Sequence, residues 1–147
     1  CPHSFLGLDH EGRTAIIRTT GNPDGHLVLR GGNNGPNCGA HAIAQADNLA
    51  RTAGVRSRLL VDCSHGNSNK EHTKQARALK EVVDQRVAGN ADIIGCMVES
   101  NLNPGSQCLG DDPSRLRYGV SITDACIGWE ETEELLTWIY DREARAA

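Results

Sequence analysis

The stretch Leu59-Leu60-Val61-Asp62-Cys63-Ser64-His65-Gly66-Asn67-Ser68 decides the architecture of this chain. Its first half is continuously apolar, without polar alternation, the pattern of a strand buried on both faces in a parallel sheet. The run closes on an acidic residue and passes into a polar loop carrying an imidazole. Residues 70–88 then repeat Leu79, Val82, Val83 and Val87 at helical spacing, and Gly89 stops them. The whole is one βα unit, with its titratable residues at the C-terminal end of the strand.

The same unit recurs on either side. Upstream, His26-Leu27-Val28-Leu29 is a short apolar strand ending in Arg30-Gly31-Gly32; a helix over residues 39–53 turns Ala42, Ala46, Leu49, Ala50 and Ala53 inward and halts at Gly54. Downstream, residues 93–98 form a third strand that ends in Glu99-Ser100. A long polar loop then leads to a last helix over residues 130–145, with Leu135, Leu136 and Ile139 on one face. Before all of these, Phe5-Leu6-Gly7-Leu8 and Thr14-Ala15-Ile16-Ile17-Arg18-Thr19 flank the turn Asp9-His10-Glu11-Gly12 and predict a β-hairpin. Three successive βα units make an α/β protein. Right-handed crossovers onto a parallel sheet allow either an open doubly wound sheet or a closed barrel.

Composition narrows the function. A net charge of -4 and a pI near 5.8 argue against a nucleic-acid surface. One Phe, two Tyr and two Trp in 147 residues offer no stacking platform for single strands. No apolar run approaches the roughly 18 residues of a membrane span, and neither a signal peptide nor an initiating Met is visible. The opening Cys1-Pro2-His3-Ser4-Phe5 reads as the interior of a longer chain. The six cysteines lack CxxC spacing. Cys63 and Cys96 fall within strand runs, where a free thiol behaves as a small hydrophobe. A cytoplasmic, reducing compartment is expected.

Each strand delivers a charged or titratable group to its C-terminal end: Arg30, then His65 with Asp62 just before it, then Glu99. In either α/β architecture that rim is the active-site face. Asp124, in Ser121-Ile122-Thr123-Asp124-Ala125-Cys126, can join them from the loop after the third strand. An imidazole with two carboxylates suits Mn²⁺, Fe²⁺ or Zn²⁺. A guanidinium beside two glycines suits a phosphate or carboxylate. Each residue also has a plain structural reading: His65 a loop histidine, Glu99 a solvated cap, Arg30 the partner of a helix carboxylate, Asp124 an N-cap. His41, His72, Lys70 and Lys74 read as solvated groups in or beside helices. Together the four candidates point to a metal-assisted enzyme acting on an anionic substrate.

The motifs Leu29-Arg30-Gly31-Gly32, Val61–Ser68 as quoted above, Met97-Val98-Glu99-Ser100 and Ser121-Ile122-Thr123-Asp124-Ala125-Cys126-Ile127-Gly128-Trp129 occur in a fixed order. This ordered set resembles the C-terminal part of the type I, aromatic-amino-acid-sensitive 3-deoxy-D-arabino-heptulosonate 7-phosphate (DAHP) synthases, and the likeness extends to the opening hairpin. It implies that residues 26–147 are the last three βα units of a (β/α)8 TIM barrel and residues 1–25 an inserted hairpin. It also implies condensation of phosphoenolpyruvate with erythrose 4-phosphate, the first step of the shikimate pathway to aromatic amino acids. His65, Glu99 and Asp124 match three metal ligands of that family, His65 and Asp124 catalytic positions, and Arg30 the arginine that holds the phosphoenolpyruvate phosphate. Phe5, Gly7 and Ile17 match positions near the pocket for an inhibitory aromatic amino acid, and Gly7, by leaving extra room, favours tyrosine. A homo-oligomer is implied for the full-length enzyme. The family's fourth ligand, a cysteine, and its erythrose 4-phosphate loop belong upstream, so this chain alone is expected to be inactive. The loop 33–38 departs from the family pattern by carrying Cys38 where an aromatic is common. Three rival readings are a related barrel synthase or aldolase of different sugar-phosphate specificity, a catalytically dead regulatory domain that binds an aromatic amino acid or a partner, and a truncated product with no function of its own. The second predicts lost ligands, whereas all four residues are present.

Overall fold

A computed structural model describes residues 1–146. Two sheets form. Strands β1 (Ser4–Leu8) and β2 (Thr14–Arg18) pair antiparallel, and β3 (Leu27–Leu29), β4 (Leu59–Asp62) and β5 (Ile93–Met97) lie side by side in the order β3-β4-β5, all parallel. Helices α1 (Ala40–Thr52), α2 (Gln75–Val87) and α3 (Trp129–Ala144) follow the three parallel strands in turn.

One face of the parallel sheet is sealed by the helices. Leu59, Val61 and Cys63 of the central strand region are fully buried against Ile43 of α1, Ala78, Leu79, Val82 and Val83 of α2, and Leu135 of α3. Leu29, Cys96 and Val98 pack at the margin of the same core. A register shift between Leu59 and Leu60 sets Ile94 and Gly95 against one step of β4. That irregularity, of the kind a bulge produces, lets Ile93 and Cys96 both join the helix-covered core although two residues separate them.

The opposite face is uncovered: Val28 is 44%, Ile94 47% and Met97 39% exposed. Continuous apolarity in these strands therefore predicts burial on two sides, and the described residues supply it on one. Helix faces differ from the expected ones for a related reason. Ile43, absent from the expected stripe, is the buried centre of α1, while Leu49 is 69% exposed; on α3 Leu136 is 55% exposed. Spacing identifies an apolar arc but not which edge of it meets the sheet.

Helix α2 starts at Gln75, not Lys70, because Asn69 and Lys70 take positive φ and two 3-10 turns, His65–Ser68 and His72–Lys74, occupy the intervening chain. Glu130 and Glu131 lie in the first turn of α3, where acidic side chains complement the helix dipole. Arg142 on α3 pairs with Asp84 on α2 at 2.8 Å, and Lys80 stands 5.6 Å over the Trp138 ring. No helix among the described residues is long and apolar enough to cross a membrane.

Candidate metal centre

The loops leaving β3 and β4 meet backbone to backbone. Gly66 N–H donates to Arg30 O at 3.0 Å, and a side chain at Gly31 (φ +74) would place its Cβ 2.6 Å from the Gly66 carbonyl carbon. Asn67 clamps the junction. Its amide donates to Leu29 O (2.9 Å) and Asp62 O (2.7 Å), and its carbonyl accepts from Asn37 N–H (2.6 Å), whose own side chain accepts from Gly31 N–H (2.7 Å). Arg30 and His65 are thereby fixed on one rim. Arg30 keeps a half-exposed guanidinium, and its nearest carboxylate, Asp62, is 4.0 Å away. Cys38 is buried in the core beneath this loop.

His65 is itself in the left-handed region, with φ 48. Its Nδ1 sits 2.8 Å from Asp62 Oδ2. Asp62 is 3% exposed and also accepts from Ser64 N–H at 2.9 Å and from the Ser64 hydroxyl. A buried carboxylate facing Nδ1 holds the proton there, which leaves the Nε2 lone pair free. Nε2 faces Glu99 Oε1 at 3.5 Å and Asp124 Oδ2 at 3.6 Å.

Glu99 lies two residues beyond the end of β5. Asp124 comes from the long loop, which is folded back onto that strand end. Ile127 N–H donates to Glu99 O (2.9 Å), Asn101 N–H to Ile127 O (3.0 Å), and Gly105 and Cys126 exchange two main-chain bonds. Farther out, Gln107 closes the base of the loop. Its side-chain carbonyl accepts from Arg117 N–H (2.8 Å), its amide donates to Arg117 O (2.8 Å) and Val120 O (2.9 Å), and its own N–H reaches Ser121 O (2.8 Å). The Ser100 and Thr132 hydroxyls, 2.6 Å apart, tie the strand end to α3.

Three ligand atoms, one each from His65, Glu99 and Asp124, thus lie within 4.8 Å of one another. An imidazole nitrogen 3.5 and 3.6 Å from two carboxylate oxygens is a donor set that suits a divalent cation. Ser64, Ser68, Lys70, His72, Gln75 and Ala125 complete the walls of the pocket. Lys70 and His72 are the surprise here. They line the pocket because α2 does not begin until Gln75, so Lys70 and the 3-10 turn His72–Lys74 stay beside the strand's C-terminal end. Asp62 and Gln75 also carry site geometry that the motif reading leaves unassigned. An acidic residue three before a loop histidine is a usable signal for Asp62; for Gln75 the signal is a polar residue four before Leu79, on the apolar arc of α2.

The other expected positions lie on the hairpin. Phe5 and Ile17 are cross-strand partners, and Gly7 is next to them on the same face. The space at Gly7 is not open: an added Cβ would fall 2.9 Å from Ile17 Cγ1 and 3.3 Å from Phe5 Cε2. All six thiols are free. Burial pushes the Cys38 and Cys126 thiols above their ordinary pKa, and contact with the Cys96 sulfur, together with burial, raises Cys63.

Residues 2–137 match the DAHP synthetase I family. The chain is 48% identical over 139 residues to the Tyr-sensitive phospho-2-dehydro-3-deoxyheptonate aldolase of Escherichia coli (strain K12), covering 95% of this chain and 39% of that one. It is 43% identical to the phenylalanine-inhibited enzyme of Saccharomyces cerevisiae (strain ATCC 204508 / S288c), covering 91% and 38%. Among solved structures, phospho-2-dehydro-3-deoxyheptonate aldolase from Francisella tularensis SCHU S4 superposes with a TM-score of 0.90 at 39% identity, over 100% of this chain and 42% of the other. The chain spans about two fifths of the length of these relatives.

Proposed function

The chain belongs to the DAHP synthetase I family, and on that premise we propose that, within the intact polypeptide, it carries the metal-holding rim of a DAHP synthase. The reaction is the condensation of phosphoenolpyruvate with erythrose 4-phosphate: C3 of phosphoenolpyruvate attacks the aldehyde, water adds at C2, and phosphate leaves. The observation that carries this reading is the convergence of His65 Nε2, Glu99 and Asp124 at one C-terminal rim with Arg30 beside them.

Each residue has a distinct task in this proposal. Arg30 binds the phosphoenolpyruvate phosphate through a charge-assisted, bidentate contact. Asp62 holds His65 in the tautomer that leaves Nε2 a ligand. His65, Glu99 and Asp124 hold Mn²⁺, Fe²⁺ or Zn²⁺, which when bound supplies Lewis acidity toward the aldehyde oxygen. Asp124, the most exposed of the three with 69% of its side chain accessible, is placed to move a proton at the reacting carbonyl.

Architecture fits the same proposal. In it, β3, β4 and β5 with their helices (residues 26–147) are the last three βα units of a (β/α)8 barrel, and residues 1–25 are an inserted hairpin. The uncovered sheet face bearing Val28, Ile94 and Met97 is then the barrel interior, filled by side-chain layers from the remaining strands. An inhibitory aromatic amino acid is proposed near Phe5, Gly7 and Ile17, in a homo-oligomer; the choice of tyrosine rests on the Tyr-sensitive relative, since the space at Gly7 is closed by Ile17 and Phe5. Residues 1–147 alone, with one rim and three ligands, are expected to be inactive.

The test is turnover by the intact polypeptide after removal and return of metal. Activity abolished by a chelator and restored by Mn²⁺ is expected, as is near-total loss in His65→Ala, Glu99→Ala and Asp124→Ala that added metal does not repair. Wild-type turnover in His65→Ala removes His65 from the ligand set.

A further inference from the structure

Gln75 is among the most deeply buried polar side chains of the molecule, at 1% exposure, and neither the substrate contact nor the ligand set uses it. It opens α2, and both ends of its amide are spent on the main chain of one residue. Oε1 accepts from Glu99 N–H at 2.8 Å, and Nε2 donates to Glu99 O at 3.2 Å. That is the bonding a neighbouring strand would provide, supplied by a side chain.

The need for it follows from the sheet. The β4–β5 ladder ends at Asp62↔Met97, with a last bond from Cys63 N–H to Met97 O at 2.8 Å. Beyond it β4 turns away at Ser64 to form the His65 loop, so Glu99 has no strand partner on that side. Its carbonyl still receives Ile127 N–H, but its N–H has Gln75 as its partner. An apolar side chain of similar volume would fill the space and leave that N–H unpaired in a poorly solvated site, at a cost that favours local rearrangement.

We infer that Gln75 is a positioning residue for Glu99, fixing its backbone so that the carboxylate is held 3.5 Å from His65 Nε2. The inference rests on the reading of His65, Glu99 and Asp124 as a cation site. Since α2 follows the His65 loop in the chain, this one amide links the two ligand-bearing strand ends.

The experiment is Mn²⁺ titration of the intact protein, with free Mn²⁺ followed by its electron paramagnetic resonance signal. Gln75→Met, which keeps volume and removes both bonds, is expected to weaken binding roughly ten- to a hundredfold, the range for supporting partners of metal ligands. It should also alter the spectrum of the bound ion. Gln75→Glu, which retains the acceptor for Glu99 N–H, should lose less. Val83→Ala, a core truncation two turns along α2, should lower the melting temperature and leave Mn²⁺ affinity intact. Wild-type affinity in Gln75→Met overturns the inference, as does an equal loss in Val83→Ala, which would reduce Gln75 to a packing role. If Gln75→Met does not fold, wild-type affinity in folded Gln75→Glu overturns it, and an intermediate loss supports it. A wild-type protein that takes up no Mn²⁺ overturns the cation reading itself and this inference with it.

Discussion

Gly31→Ala tests the close approach of the loops that leave β3 and β4. The new Cβ would lie 2.6, 2.7 and 2.8 Å from Gly66 C, Gly66 Cα and Asn67 N. Carbon pairs rest at about 3.5–4.0 Å, so the two loops must separate by about 1 Å. Every contacting atom is backbone, and no side-chain rotation can relieve the overlap. The left-handed conformation at φ +74 adds about 1–2 kcal/mol for any residue with a Cβ. Separation strains Gly66 N–H to Arg30 O and the Gly31–Asn37–Asn67 relay, each bond contributing about 1 kcal/mol. The expected destabilisation is about 3–5 kcal/mol, read as a fall in the urea midpoint of the intact polypeptide. Gly32→Ala is the internal control: Gly32 has no positive φ, and nothing lies within 4 Å of its Cβ position. If the two variants unfold within about 0.5 kcal/mol of each other, the scatter of an ordinary surface change, the close approach does not constrain the rim.

Other outcomes follow from the same geometry. Asp62→Asn puts an amide where His65 Nδ1–H now donates, moving the proton to Nε2; Mn²⁺ affinity by calorimetry should fall roughly tenfold or more, and unchanged affinity would remove Asp62 from that role. Arg30→Ala should weaken phosphoenolpyruvate by about 1.5–3 kcal/mol, seen as a raised KM, and an unaltered KM sinks the phosphate assignment. The raised pKa of Cys38 and Cys126 leaves less thiolate at any pH below it. At pH 8.5 iodoacetamide should therefore label exposed Cys108 well ahead of both, and equal labelling by peptide mapping would contradict their burial.

Much of the parallel sheet was readable because Leu59–Asp62 and its neighbours are short apolar runs ended by polar residues, and a strand end is where chemistry gathers in such folds. His65, Glu99 and Arg30 were legible for that reason. Asp124 was legible only through its motif, since its place is set by main-chain pairing of Gly105 with Cys126, which any sequence can provide. Lys70 is expected on a helix surface and is instead an exposed residue ahead of α2, because positive φ at Asn69 and Lys70 delays the helix; Asn tolerates that conformation, but Lys gives no sign of it. Gln75 falls on the apolar arc of α2, four before Leu79, but nothing in the sequence shows that its amide is spent on the Glu99 main chain. Leu49 and Leu136 show the converse limit: a side chain can be apolar, helical in spacing and still uncovered among the described residues.

The clasp made by Gln107 has a consequence for how this loop can change. Residues 108–116 leave and return through a base closed by one side chain, and the segment is exposed apart from Leu116, which is only half-buried. Doubling the length of such a segment costs only about 0.6 kcal/mol of closure entropy. Insertions, a protease nick or a dye attached at Cys108 should therefore be absorbed beyond the clasp, leaving Asp124 where Cys126 and Gly105 hold it. Divergence between relatives can accumulate in this segment at little cost to the chemistry a few residues away.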